Sequence, residues 1–423
     1  QGNESNRHGF KTKYWTNTAT DDVRKFTVSD VANSWGTYSM SGVYAAGQLY
    51  KTITTDEKGV QIIEFKDKSG YIILKKVQFT AGVDNGSGAG YPAWICTYYI
   101  YDDRNNLRCV VQPRGVELLY GNSWSFSIPG NETAILNEQC FRYEYDSRNR
   151  MIMKKAPGKG DEYLVYDKWD RPALEQDANL RPLNKWLFTK YDQYNRPIMT
   201  GTYTDVTHTT LSAMQGYLNT QNLARFENYQ TASFPLYSIN LSFPALSTYN
   251  DVNTATYYDD YTWASFYGDY AGKNNSYDTY FATASNTTWP YPQALTAATN
   301  TKGLITGQWD RTGLFTATYY DEKARVLQTK HLNLSGGIDI ATTQYNFRGL
   351  PLQTVLVHQK NGTNFHTSMV MTKLTYDDLD RVTKVEKKVS SNLVNSGALP
   401  TAWTVVSETQ YDKLGNVTGK SIG

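Results

Sequence analysis

Tyr145-Asp146-Ser147-Arg148-Asn149-Arg150 returns as Tyr166-Asp167-Lys168-Trp169-Asp170-Arg171, and again as Tyr191-Asp192-Gln193-Tyr194-Asn195-Arg196. Two later copies are Tyr320-Asp321-Glu322-Lys323-Ala324-Arg325 and Tyr376-Asp377-Asp378-Leu379-Asp380-Arg381. Weaker copies start at Tyr101, Tyr345 and Tyr411, and three without the tyrosine start at Thr55, Lys66 and Trp309, eleven in all. The second position is Asp in ten of the eleven, with Asn346 the exception. The fifth is Gly, Asn or Asp in ten, among them Gly415, with Ala324 the exception. These residues tolerate positive φ. An Asp, two free positions and a left-handed residue describe a type I turn closed by a bulge, with the Asp carboxylate accepting backbone N–H groups.

The flanks agree with a hairpin. Thr316-Ala317-Thr318-Tyr319-Tyr320 precedes one turn and Arg325-Val326-Leu327-Gln328-Thr329 follows it, both β-branched or aromatic with rough alternation. Pro172, Pro197 and Pro351 sit where a strand begins without needing an N–H donor. Copies 55 and 66 are one strand and one turn apart, and copies 145, 166 and 191 are two strands and two turns apart. The chain therefore zigzags into a long antiparallel sheet of strands about 23 Å long. A twisted sheet of that length tends to curl or close. The recurring Tyr is expected to lie on the sheet, and the recurring Arg to stack on a Tyr and bridge to a carboxylate.

Composition supports this reading. The chain has 423 residues, too many for one compact core, and 34 of them are Tyr. Charged residues are 19%, and 42 Lys+Arg against 40 Asp+Glu leave a net charge of +2. That balance excludes a nucleic-acid binder working through a bulk basic field. No 18-residue apolar run is present to form a membrane-spanning helix. Cys96, Cys109 and Cys140 are an odd number without C-x-x-C spacing, which reads as three buried thiols. The polar start, Gln1-Gly2-Asn3-Glu4, fits a removed signal peptide or a segment beginning inside a longer chain.

Residues 201–303 interrupt the repeat. Tyr257-Tyr258-Asp259-Asp260-Tyr261 resembles a copy, but Thr262 at the next position breaks the turn rule. Thr210 to Asn219 reads as a short helix capped by Thr210, with Leu211, Met214 and Leu218 on one face. Phe234-Pro235, Phe243-Pro244 and Trp289-Pro290 punctuate the remainder. The resulting division is a lead-in at 1–50, repeat segments at 51–200 and 304–423, and an aromatic, polar insertion at 201–303.

Chemistry-bearing motifs are scarce. His8, His208, His331, His358 and His366 are scattered, with no H-E-x-x-H. Gly86-Ser87-Gly88-Ala89-Gly90 and Ala156-Pro157-Gly158-Lys159-Gly160 lack the G-K-[ST] ending of a phosphate loop. No G-x-S-x-G elbow occurs. No catalytic residue, metal site or cofactor is expected. The candidate contact for sugar or calcium is Tyr257, Tyr258, Asp259, Asp260 and Trp263.

The phrase Tyr-Asp-x-x-Gly/Asn-Arg over roughly 50–200 and 304–423 resembles that of the RHS/YD-repeat family. The look is nearest to the large secreted YD-repeat proteins of Bacteroidota, in segments such as Ala46-Gly47-Gln48-Leu49-Tyr50 and Cys96-Thr97-Tyr98-Tyr99-Ile100-Tyr101-Asp102. The resemblance implies an all-β fold: a β-ribbon of hairpins curling into a spiral, hollow shell, with one mixed insertion. It implies a non-catalytic wall that encloses or presents a C-terminal cargo, as in polymorphic toxins. The partners would be that cargo in a longer chain, secretion or outer-membrane machinery, and no nucleic acid. The location would be secreted or at the bacterial cell surface. The sequence has no Asp-Pro dipeptide and its last copy stops within a strand, so it reads as a piece of a longer polypeptide. The alternative is a surface adhesin that binds glycans through 201–303.

Overall fold

A computed structural model describes residues 9–79, 88–131, 133–231, 233–282 and 291–423. His8 and the rest of 1–8, Gly86-Ser87 and Trp289-Pro290 lie outside the described residues. The chain is nearly all antiparallel β, as the repeat predicts, with a 22-stranded sheet and a separate two-stranded one. From Tyr50 onward successive strands of the large sheet pair with their neighbours in chain order, for example Phe315–Tyr320 with Val326–Leu332 and then Ile338–Tyr345. The sheet is not closed. The registers pair Lys11–Thr16 with Tyr50–Thr55 and Val417–Ile422 with Thr404–Tyr411. Both end strands are exposed along almost their whole length.

From Gln61–Lys66 onward every second connection but one has the same length, the exception being the run from Val252–Asp259 to Thr301–Asp310. Residues 67–71, 102–106, 146–150, 167–171, 192–196, 321–325, 346–350, 377–381 and 412–416 each join two strands by five residues. The intervening connections vary, from 333–337 through 79–93 and 112–139 to 205–251. The register slips by one residue at the repeat tyrosine, as at Gln344/Tyr345, Thr375/Tyr376 and Gln410/Tyr411. That slip is the bulge the turn requires.

The chain divides into two compact units, residues 1–188 with 203–222 and residues 189–202 with 223–423. In the first unit strands such as Gln61–Lys66 and Cys140–Tyr145 alternate strictly between buried and half-buried positions. Their buried face carries Ile63, Phe65, Tyr98, Cys109 and Cys140. The helix Pro113–Gly121 covers it with Val116 and Leu119. The hairpin Arg24–Ser29 with Thr37–Val43 adds Phe26, whose ring meets Tyr98 edge-on at 5.2 Å. Cys96, Cys109 and Cys140 are free and buried. The helix Leu211–Thr220 is capped by Thr210, whose hydroxyl accepts from the Ala213 N–H at 3.2 Å, and it buries Met214 and Leu218.

In the second unit, a stack of Tyr237, Tyr257 and Trp263 and a cluster around Ile340, Val355 and Met371 occupy the buried face. Part of the segment read as an insertion belongs to the sheet itself. Val252–Asp259 is a strand between Pro197–Thr204 and Thr301–Asp310, with Val252, Ala255 and Tyr257 facing inward.

Candidate functional site

The repeat residues build one recurring device. At all eleven fifth positions φ is positive, from 58° at Asn149 to 95° at Gly349, and Ala324 adopts 59° without being Gly, Asn or Asp. Asp146 Oδ1 accepts from the N–H groups of Arg148 and Arg150 at 2.9 and 3.0 Å. Asp167, Asp192, Asp321, Asp377 and Asp412 accept from the N–H groups two and four residues on in the same way. Oδ2 takes the arginine. Arg150 Nε donates to Asp146 at 2.8 Å, Arg171 to Asp167 at 2.8 Å and Arg196 to Asp192 at 2.7 Å. Arg325 donates to Asp321 at 2.6 Å and Arg381 to Asp377 at 2.7 Å. In the turn of Gly415, position six is Asn416, whose side-chain amide donates to Asp412 instead.

Several turns also hold the next one. In the first unit Arg150 lies 4.6 Å from the Tyr166 ring, and the Tyr166 hydroxyl donates to the carbonyl of Met151 at 2.7 Å. Tyr145 reaches Leu107 O at 3.2 Å. Where position six is Tyr71, its ring meets Tyr101 at 5.1 Å. In the second unit Arg325 lies 4.5 Å from Tyr345, which donates to Val326 O at 3.0 Å. Tyr376 reaches Pro351 O at 2.8 Å and Tyr320 reaches Ile305 O at 2.6 Å. The carbonyl used is that of position seven of the preceding turn, except at Tyr320. A ring over a guanidinium and a hydroxyl on a carbonyl thus latch hairpin to hairpin.

Tyr258 carries a latch that the five-position rule misses. Its hydroxyl donates to Pro197 O at 2.9 Å, and Arg196 lies 4.3 Å from its ring. The Arg196 guanidinium also forks onto Asp259 with two 2.7 Å bonds. Those bonds hold the Asp259 carboxyl below its usual range. Asp259 itself has φ 74° and accepts from the Gly303 N–H at 2.7 Å. The Tyr258-Asp259 pair keeps the first two positions of the motif, but no five-residue turn follows it, and that pair was its only sequence signal. A further turn, Asn333 to Gly337, uses Asn333 in the Asp position and Gly336 at φ 74°.

The five residues read as a sugar or calcium contact lie around a cleft of about 240 Å³, bordered also by Tyr194 and Tyr229. They divide in role. Tyr257 and Trp263 are buried, and their rings stack at 5.1 Å. The Tyr257 hydroxyl donates to Pro235 O, and the Trp263 indole N–H is shared by Asp260 O and Thr306 Oγ1. Buried in this way, neither ring offers a face to solvent. Tyr258 and Asp259 are half-buried and engaged by Arg196, while the exposed Asp260 binds Thr262.

Beneath the cleft Lys190 and Glu227 form a fully buried pair at 2.6 Å. Glu227 also accepts from Ser238 Oγ, Ser242 Oγ and the Ser242 N–H. Burial works against the carboxylate, but Lys190 and these donors outweigh it and hold the group below its usual range. Among the histidines, His208 pairs with Asp205 at 2.9 Å, His331 with Thr316 at 2.8 Å and His358 with Asp339 at 2.6 Å. No group of three metal-binding side chains occurs among the described residues.

No family model and no curated protein matches this sequence. Solved structures that are similar include the crystal structure of TcdB2-TccC3, at 16% identity over 87% of this chain with a TM-score of 0.35. The Photorhabdus luminescens Tc holotoxin pore matches at 13% identity over 87%, with a TM-score of 0.28. This chain spans 17% and 23% of the length of those chains.

Proposed function

We propose that this chain is a non-catalytic wall segment of an RHS/YD-type shell that encloses or presents a C-terminal cargo, a toxin or effector, in a secreted or surface-exposed protein. The observation that carries the reading is the latch. Tyr, Asp and Arg recur together in five of the turns, where the arginine bonds the turn Asp and, in several, stacks on a ring of the next hairpin, and such repeated contacts serve a scaffold better than a single reaction centre. A ladder latched between successive hairpins resists peeling, and its half-buried, tyrosine-rich outer positions give a surface of mixed polarity. The test is protease protection of the polypeptide that follows residue 423 in the protein made from its complete reading frame. The expected result is resistance that lasts until the sheet is denatured. Digestion at the rate of the same polypeptide made alone overturns the reading.

A second reading, a glycan-binding adhesin, is favoured by the cleft around Tyr194, Tyr229 and Tyr258, where exposed and half-buried rings stand beside Asp259 and Asp260. A glycan array probed with the whole chain tests it, and uniform silence counts against it.

A further inference from the structure

A second recess, in the first unit and remote in sequence from every repeat turn that lines the cleft, contains a buried arginine with no ion pair among the described residues. Arg142, on the strand Cys140–Tyr145, is only 6% exposed. Its Nε is buried without a hydrogen-bond partner among the described residues. Glu144, on the same face of the strand, is taken by Arg108 and by the Gly36 N–H at 2.8 Å. The Arg142 guanidinium is stacked instead, 4.3 Å from the Trp35 ring and 5.6 Å from Tyr38. Arginine cannot shed its proton, and a buried charge without an anion is costly. Aromatic faces and a side-chain hydrogen bond with Tyr38 offset part of that cost, while Nε stays unpartnered among the described residues.

That side chain lines a recess of about 680 Å³. Its size falls within the range of about 300–1,000 Å³ usual for small-ligand sites. The rim is formed by Ser39, Ser125, Ser127, Thr133 and Asn137, all polar and uncharged. One wall is held under strain: Ser123 and Trp124 have φ 51° and 64°, and Trp124 is buried there. A bulky residue in the left-handed region persists only where its surroundings dictate it, a feature that gathers at binding sites.

We propose that this recess binds a carboxylate-bearing sugar, with Arg142 holding the carboxylate. A guanidinium fork matches a carboxylate with two parallel bonds. Hydroxyls and an amide that donate and accept at once match the vicinal hydroxyls of a sugar ring. An acidic peptide shares the anion but not those hydroxyls.

The experiment titrates the whole chain with glucuronate, glucose, acetate and N-acetylglutamate amide, followed by tryptophan fluorescence, which Trp35 reports. Glucuronate is expected to bind with a Kd on the order of 1 mM. Glucose and acetate should each bind at least about tenfold more weakly, since each supplies half of the contacts. Arg142→Met should abolish binding, and Arg142→Lys and Asn137→Ala should weaken it. Circular dichroism checks each fold, and if Arg142→Met does not fold, the other two variants decide. No glucuronate binding by the parent chain overturns the proposal. Equal binding by the folded variants does so too, and tighter binding of the glutamate amide overturns the sugar class.

Discussion

The Arg381 guanidinium lies 4.5 Å from the Tyr411 ring, one hairpin further along the chain, and the Tyr411 hydroxyl donates to the carbonyl of Val382 at 3.2 Å. The same arginine closes its own turn through Asp377 and reaches the Asp412 carbonyl of the next at 3.2 Å. One side chain therefore couples two turns that are 35 residues apart, from Asp377 to Asp412.

Removing either partner should reveal that coupling. Arg381→Ala, Tyr411→Leu and the double variant should give a coupling energy of about 0.5–1 kcal/mol in a double-mutant cycle read by urea melts. Additive losses would show that the stack contributes nothing.

Turn geometry predicts a ranking. Gly415 has φ 90°, so Gly415→Val should cost roughly 1–2 kcal/mol through forced strain. Glu322 is exposed at a free turn position, and Glu322→Ala should change stability by less than about 0.5 kcal/mol. Thermal melts that rank these two in the opposite order would refute the turn register.

Acid should loosen the latches. Burial raises the carboxyls of Asp146 and Asp321, but bonds from Arg150, Arg325 and the turn N–H groups prevail and hold both below their usual range. The unfolded chain then takes up protons first. The stability these groups supply is present above the unfolded pKa of about 4 and is lost as pH falls through the folded values. Asp321→Asn keeps an acceptor, as Asn346 does naturally with the Leu350 N–H at 2.9 Å. Urea midpoints between neutral pH and pH 3 should fall less steeply for that variant. An unchanged slope would exclude Asp321 as a contributor.

Base should act in the other direction at Lys76. Its ammonium is fully buried and, among the described residues, donates to the carbonyls of Gly90, Gly88 and Asp21, and burial lowers its pKa to about 8. Above that value the native state has released the proton while the unfolded chain still holds it, up to about 10.4. Stability should therefore rise with pH from about 8 toward 10. Lys76→Met should remove that rise, and a parent chain whose urea midpoint is flat across the window would show that Lys76 stays charged.

The zigzag was legible because its signal is local. A left-handed fifth residue and an Asp acceptor are properties of five consecutive positions, and they mark each corner without reference to the rest of the chain. Ala324 shows that a strong turn imposes positive φ even on a residue that resists it. The second partner of each arginine was less legible, because Tyr166 or Tyr411 meets it only after two strands have been laid down. The latch at Tyr258 was hidden because its turn is not five residues long. The Arg142 recess was invisible in the sequence, since Trp35, Ser125 and Asn137 come from separate elements with no shared period. The strand at Val252–Asp259 was read as insertion because the polar and aromatic segments around it mask the alternation of Val252, Ala255 and Tyr257.

The alternation between five-residue connections and connections of any length gives the ribbon a selvedge on one side and a fringe on the other. New sequence spliced into the fringe, for example at Asn361-Gly362 between Pro351–Lys360 and His366–Tyr376, leaves every tyrosine opposite its arginine. A single residue added to one of the five-residue turns of the selvedge would disturb the Asp-centred hydrogen bonds that close it. Apart from the run between Val252–Asp259 and Thr301–Asp310, one margin is embroidered with helices while the other keeps count.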